Sequence, residues 1–306
     1  MAKRYASRKR KIVSVAAAVL CLIIAVAVYT GNGRLSSYFH SAVDTSAQSF
    51  NTSKDFVRFL DVGQGDSILI YSNGRSALID SGTANSANDI CEGLKNCGIS
   101  QIDVFLISHL HADHTGGVSR LTEDFTIKNL VVPELSTYSE GMSAAQNAIN
   151  AVSKSGGGVY NAKQGMNFNV GEFEITVLAS YGDEDDENNR SLIVMAEIDG
   201  AKFLFTGDAE KTAEKRLLNE GLNLDCDVFK AGHHGSNTSN TQELLKATTP
   251  EYVAISAGLD NMYGHPHYEV LQSFKEIDAT VLRTDQSGDI TFYVENGKIT
   301  ADTEKL

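Results

Sequence analysis

Leu106 to Gly117 reads LISHLHADHTGG, an apolar run that ends in three histidines and an aspartate between His109 and His114. In an extended backbone His109 and His111 point to one side, because successive side chains of a strand alternate. Asp113 and His114 fall where the chain turns into a following helix, so the segment offers two ligand pairs able to face adjacent cations. Ligand-type side chains rarely crowd so closely without a shared task. The plain alternative is a surface loop whose histidines only hydrogen-bond their neighbours, and the HxHxDH spacing at a strand end argues against it. Imidazole and carboxylate together suit zinc, manganese or iron.

On either side of this segment, short β-branched runs alternate with helical patterns. Strands are expected near Phe56–Asp61, Ser67–Tyr71, Ala77–Asp80 and Val104–Ser108, and later at Glu174–Leu178, Leu192–Ile198, Lys202–Thr206, Val228–Ala231, Tyr252–Ser256, Thr280–Arg283 and Ile290–Val294. Helical periodicity marks Ala87–Cys97, Ser143–Lys154, Glu210–Asn219, Gln242–Ala247 and Tyr268–Glu276. Mixed strands with helices between them imply an α/β class, in which helices cover the outer faces of the sheets. The acidic run Asp183–Glu187 reads as a solvated loop.

The first 29 residues stand apart. Lys3, Arg4, Arg8, Lys9, Arg10 and Lys11 precede the uncharged run Ile12–Val28, which is at the short end of what spans a bilayer. A basic segment before an apolar one stays inside, so residues 1–29 read as a signal anchor or a cleaved signal, with the remainder on the outer face. Residues 30–54, rich in Ser, Asn, Gly and Thr, read as a flexible spacer, and residues 55–306 as the folded domain. Without the six N-terminal cations the chain has 20 Lys and Arg against 39 Asp and Glu, about −19. Bulk attraction to a polyanion is therefore excluded, and a nucleic acid would have to be held by local groups or by bound cations. Three cysteines beyond Cys21, an odd number, imply no disulfide framework; Cys91 and Cys97 could pair or stay as buried thiols.

HLHADH resembles the signature of the metallo-β-lactamase fold superfamily. That resemblance implies an αββα sandwich of two mixed sheets flanked by helices. It also implies that His109 and His111 bind one divalent ion, zinc or manganese, and that Asp113 and His114 bind a second. Asp80, which closes LIDSG, resembles the carboxylate that orients ligands from behind. Asp208, in LFTGDAE, resembles the carboxylate that bridges two metals. His233 and His234, in KAGHHGSNTSN, resemble the later histidine motif, one binding metal and its neighbour meeting substrate or supporting the ligands. The chain departs from the pattern at one point: the histidine that usually joins the first metal between HxHxDH and the GD motif is absent. Asn188, Asn189 or Ser191 occupies its place, and an oxygen ligand there would favour manganese or magnesium.

LDVGQGD at Leu60–Asp66, GHHGS, YGHP at Tyr263–Pro266 and RTDQSGDI at Arg283–Ile290 narrow the resemblance to the hydrolase-like domain of ComEC-type DNA-uptake channel proteins. Gly63 and Gly65 allow a tight turn, as an ordinary hairpin also would. The expected chemistry is metal-assisted hydrolysis of a phosphodiester in extracellular DNA, with Asp208 holding the water, Asp113 orienting it, and His265 protonating the leaving group or stabilising the transition state, a plain structural role being the alternative for His265. Ser236 is a candidate phosphate contact, with capping of the next helix as its alternative. Competing readings change the substrate to a phosphocholine ester, a wall polymer or a lactam, or replace catalysis by a non-catalytic, competence-related binding module.

Overall fold

The computed structural model describes residues 52–133 and 142–305. The apolar run expected to anchor the chain and nearly all of the spacer lie outside them. Among the described residues no helix is long and apolar enough to cross a membrane.

Two mixed sheets form the frame. In the first, the strands run in the order Lys298–Thr303, Ile290–Glu295, Asp55–Phe59, Ile68–Ser72, Arg75–Ile79, Val104–Leu106, Asn129–Val132 and Gly158–Asn161. Its first five strands pair antiparallel, and from Arg75–Ile79 onward the pairing is parallel. The second runs Thr280–Arg283, Tyr252–Ile255, Val228–Lys230, Ala201–Phe205, Ile193–Ile198, Phe173–Ala179 and Asn167–Val170. There the first four are parallel and the remainder antiparallel.

Alternation along these strands builds the core. Val57, Phe59, Ile68, Ile70, Ile79 and Leu106 from one sheet meet Ile175, Val177, Val194, Ala196, Phe203 and Phe205 from the other in a single apolar layer. The Phe292 ring lies 5.8 Å from Phe59, 6.3 Å from Phe203 and 5.5 Å from Tyr252, so it joins both sheets. On the outer face of the second sheet, helices Lys211–Asn219, Gln242–Thr248 and Tyr268–Glu276 bury Leu217, Leu244, Leu245 and Phe274. Helix Met142–Lys154 lies against strands Asn129–Val132 and Gly158–Asn161 of the first sheet. The result is the expected αββα sandwich.

Parallel strands all deliver their carboxyl ends to the same edge, which is where open α/β sheets place their ligands. Here Arg75–Ile79 ends at Asp80, Val104–Leu106 leads to His109, Ala201–Phe205 leads to Asp208, and Val228–Lys230 leads to His233. The sheet topology thus gathers residues far apart in sequence at one end of the sandwich.

Within the two large sheets, four strands escaped sequence reading: Asn129–Val132, Gly158–Asn161, Asn167–Val170 and Lys298–Thr303. Three of these are at sheet edges, where half-exposed, polar strands lose the alternation that marks an interior one. Asn129–Val132 is too short for its period to tell strand from helix. The turn into a helix expected at Asp113 and His114 is present as the short helix Ala112–Thr115, followed by Val118–Asp124.

Truncation of Phe292 to alanine is expected to cost about 3–5 kcal/mol, the usual range for a buried Phe to Ala change. A lowered urea midpoint with an unchanged denaturant slope would report it. A loss below about 1 kcal/mol would show that the two sheets do not depend on this ring.

Candidate metal centre

Asp113, His114, Asp208 and His234 each offer one atom to a common point, all within 4.8 Å of one another. His114 Nε2 lies 3.3 Å from Asp208 Oδ2, and His234 Nε2 lies 3.4 Å from the same oxygen and 3.3 Å from Asp113 Oδ2. Beside this cluster, His109 Nε2 and His111 Nδ1 are 3.1 Å apart, and His109 Nε2 is 3.9 Å from Asp208 Oδ2. Asp208 therefore stands between the two histidine groups.

Each buried ring is aimed by a partner behind it. Asp80, in the left-handed region at φ 60°, accepts from Ser108 N at 2.7 Å and Ser108 Oγ at 2.6 Å. Its Oδ2 also lies 2.8 Å from His114 Nδ1, which turns His114 Nε2 towards the cluster. His234 Nδ1 is 2.9 Å from the Ser256 carbonyl, with the same effect on its ring. Such outer partners fix the tautomer and orientation of a metal-binding imidazole.

The site's composition fits a divalent cation. His114 Nε2, His234 Nε2 and Asp208 Oδ1 are buried with no partner in hydrogen-bond geometry. Orphaned buried nitrogen and oxygen atoms are costly unless something else satisfies them. Burial opposes charge on His114 and His234, yet Asp208 and the neighbouring carboxylates outweigh it and raise both well above the usual histidine range. Without a metal, protons therefore supply the positive charge that a cation would otherwise bring. Burial pushes the Asp113 carboxyl up, but the close approach of His234 and the charge of His114 bring it down to about 2. His109, driven well down by burial and by His114, stays neutral, as a ligand must.

Two residues that sequence reading did not assign complete the floor of the site. Lys230 is 1% exposed, and its Nζ is 2.7 Å from Asp66 Oδ2 and 3.9 Å from Asp208 Oδ1. It also donates to the carbonyls of Gly207 and Ala231. Asp66 Oδ1 in turn lies 3.5 Å from His234 Nδ1. The signal for Lys230 was a lysine inside an apolar strand, a residue type almost never fully buried unless paired. For Asp66 it was an acid directly after Gly65, where φ is +149° and a Cβ would stand 2.4 Å from the Asp113 carbonyl. That absence of a side chain lets Asp66 N donate to Asp113 O at 3.2 Å and brings the two loops together.

The remaining expected residues fall around this centre in different ways. His234 enters the cluster, whereas His233 is at its rim with Nε2 3.7 Å from Asp208 Oδ2 and Nδ1 3.3 Å from Glu210 Oε1. The ring of His265 is 5.4 Å from that of His233 and 6.2 Å from that of His234. Burial and the surrounding histidines pull it down to about 4, so it is a neutral hydrogen-bonding group and not a resident proton source. Ser236 is buried, with Oγ 3.0 Å from Thr238 Oγ1 and accepting from Thr238 N at 3.3 Å, which places it within the turn. Helix Gln242–Thr248 is capped by Thr241 instead.

Asn189 Oδ1 accepts from Glu210 N and Ala213 N, which braces the start of the helix after Asp208. Ser191 Oγ accepts from Asp208 N at 3.0 Å. At the position of the absent histidine, Asn188 Oδ1 is the oxygen that is buried without a partner. Glu187 also departs from the solvated-loop reading, since its Oε1 accepts from Leu110 N at 3.1 Å, between the two histidines of the HxH pair. Cys91, Cys97 and Cys226 are free and buried.

A model of the metallo-beta-lactamase superfamily matches residues 60–258. ComE operon protein 3 of Bacillus subtilis (strain 168) is 31% identical over 264 residues, covering 80% of this chain and 34% of its own length. Competence protein ComA of Neisseria gonorrhoeae is 31% identical over 243 residues, covering 79% of this chain and 32% of its own. Recombination protein 2 of Haemophilus influenzae is 29% identical and covers 76% and 28%. The chain thus spans about a third of the length of these relatives. Among solved structures, the metallo-beta-lactamase fold protein YhfI from Bacillus subtilis superposes with a TM-score of 0.53 at 11% identity, over 81% of this chain and 100% of that one. That likeness speaks to the fold alone.

Replacing Asp80 with asparagine is expected to weaken metal affinity about 10–100-fold, the usual cost of losing such an outer partner. Competition with a coloured chelator measures it, and unchanged affinity would show that Asp80 does not hold the His114 ring. Lys230→Met strands the Asp66 carboxylate, for an expected loss of about 3–5 kcal/mol in folding stability. A variant as stable as the parent would contradict the role of Lys230 as the internal counter-charge.

Proposed function

This chain belongs to the metallo-beta-lactamase superfamily, and from that premise we propose that it is a metal-dependent phosphodiesterase acting on extracellular DNA. The observation that carries the reading is the convergence of Asp113, His114, Asp208 and His234, with both ring nitrogens buried and unpartnered. The proposal of DNA as substrate is supported by two relatives named for competence and recombination. It is supported as well by the resemblance of LDVGQGD, GHHGS and YGHP to a DNA-uptake protein's domain.

His109, His111 and Asp208 would hold one divalent ion, and Asp113, His114, Asp208 and His234 a second. When bound, such ions supply Lewis acidity, ionising water near neutral pH and neutralising anionic phosphoryl oxygens. The chain's own groups do the rest. Asp80 and the Ser256 carbonyl keep His114 and His234 in one orientation, so no reorganisation is needed as charge develops. Lys230 fixes Asp66 beneath them. Asp113, ionised and 31% exposed, is the carboxylate open to an attacking water, from which it accepts a hydrogen bond. His233 and His265, both lowered by burial, offer ring N–H groups at the rim to a substrate oxygen.

Placement outside the membrane rests on the basic and apolar N-terminal sequence. It would bring the domain to DNA in the surroundings. The acidic body makes bound cations the means by which a phosphate is attracted.

Full-length protein reconstituted with manganese is expected to nick supercoiled plasmid, and His111→Ala to reduce the rate at least about 100-fold, more than an outer partner costs. Folded, metal-loaded protein that leaves plasmid, linear and single-stranded DNA intact would overturn the assignment.

A further inference from the structure

Between strand Tyr252–Ile255 and helix Tyr268–Glu276 runs the loop AGLDNMYGHPH, residues 257–267. It is the most apolar exposed stretch among the described residues. Met262 is 90% exposed and Tyr263 60%, with Leu259 and Tyr268 exposed beside them. Large apolar side chains grouped this way mark a contact surface.

The loop also begins at the metal centre. His234, a member of the cluster, lies nearly parallel to His265 at 6.2 Å and 28°, and His265 lies nearly parallel to Tyr263 at 5.7 Å and 22°. Ring follows ring from the buried cluster to the surface. Nor is the loop loose. Asn261 Nδ2 donates to the carbonyls of Gly258 and His265, while its Oδ1 accepts from the backbone of Tyr263 and His265. Gln64 Oε1, from the LDVGQGD segment, accepts from Gly258 N and ties the loop to the opposite wall. Asn261 holds the backbone of Tyr263, and its exposed ring has His265 on one side.

From this geometry we infer that Tyr263 is a stacking platform for an unpaired nucleobase next to the phosphodiester presented to the metal centre. The inference rests on the phosphodiesterase reading and names what selects its substrate. A flat aromatic face suits any base, and stacking adds affinity without sequence preference. It reaches only a base whose face is free, so single-stranded DNA or a frayed end is favoured over an intact duplex. The same stretch carries Asp260 and no lysine or arginine. That composition opposes an anionic lipid surface, which recruits basic side chains. It also leaves affinity for DNA to stacking and to bound cations.

The test uses full-length protein and single-stranded oligonucleotides carrying 2-aminopurine, whose fluorescence is quenched when it stacks. Wild type and Tyr263→Phe are expected to quench it, and Tyr263→Ala to bind about 5–150-fold more weakly, as loss of one base–aromatic stack implies. An oligonucleotide of abasic sites should bind wild type and Tyr263→Ala alike, because the stack is then missing from either side. Cleavage is followed in parallel. DNA cut by all variants with binding independent of Tyr263 overturns the platform and leaves the phosphodiesterase reading intact. Absence of both binding and cleavage overturns that reading and the platform with it. If Tyr263→Ala instead loses affinity for phosphatidylglycerol vesicles while binding DNA normally, the loop is a lipid contact and the inference fails.

Discussion

Repulsion among carboxylates is the constraint on which the rest of this structure depends. Asp66, Asp80 and Asp208 are buried at one end of the sandwich, and Asp113 is partly open beside them. Ionised acids packed so closely would drive each other to protonate or push the loops apart, unless positive charge is supplied. Lys230 supplies one fixed charge from within the fold. The histidines supply the remainder as protons, or yield that place to metal. The same electrostatic demand thus explains a buried lysine, raised histidines and a ligand set suited to a cation.

The folding pattern makes this concentration of acids possible. Both sheets switch from antiparallel to parallel pairing partway across, and the parallel halves point their carboxyl ends the same way. Each ligand loop is then short and leaves a strand whose other end is fixed in the shared core. Small residues close the distances that remain. Gly207, at φ 55°, would place a Cβ 2.9 Å from Ser191 Oγ, the group that orients Asp208. Precision at the centre comes from these rigid exits more than from the loops themselves.

Much of this was legible before any coordinates. HLHADH declared its chemistry through spacing alone, and interior strands such as Val228–Lys230 and Tyr252–Ile255 declared themselves through apolar runs. Three of the four strands at the ends of these sheets did not, because their polar, half-exposed faces carry no such signal, and only Thr280–Arg283 was readable there. Among site residues, those of ligand type within recognisable motifs could be named. Lys230 and Asp66 could not, since their role is to balance charge across segments that meet only after folding. The choice between His233 and His234 likewise depended on adjacent backbone angles, φ 50° and 54°, that turn one ring inward and leave its neighbour at the rim.

An acidic protein that acts on a polyanion must gain attraction from a source other than its surface. For the function proposed for this chain, bound cations would offer one, and the exposed ring of Tyr263 a second that is indifferent to charge. The most direct test of the central claim is elemental analysis of the purified full-length protein, combined with anomalous X-ray scattering that places any metal. A divalent ion held by Asp113, His114, Asp208 and His234 is the predicted result. Well-folded protein that binds no transition metal, with those four side chains satisfied by one another, would contradict it.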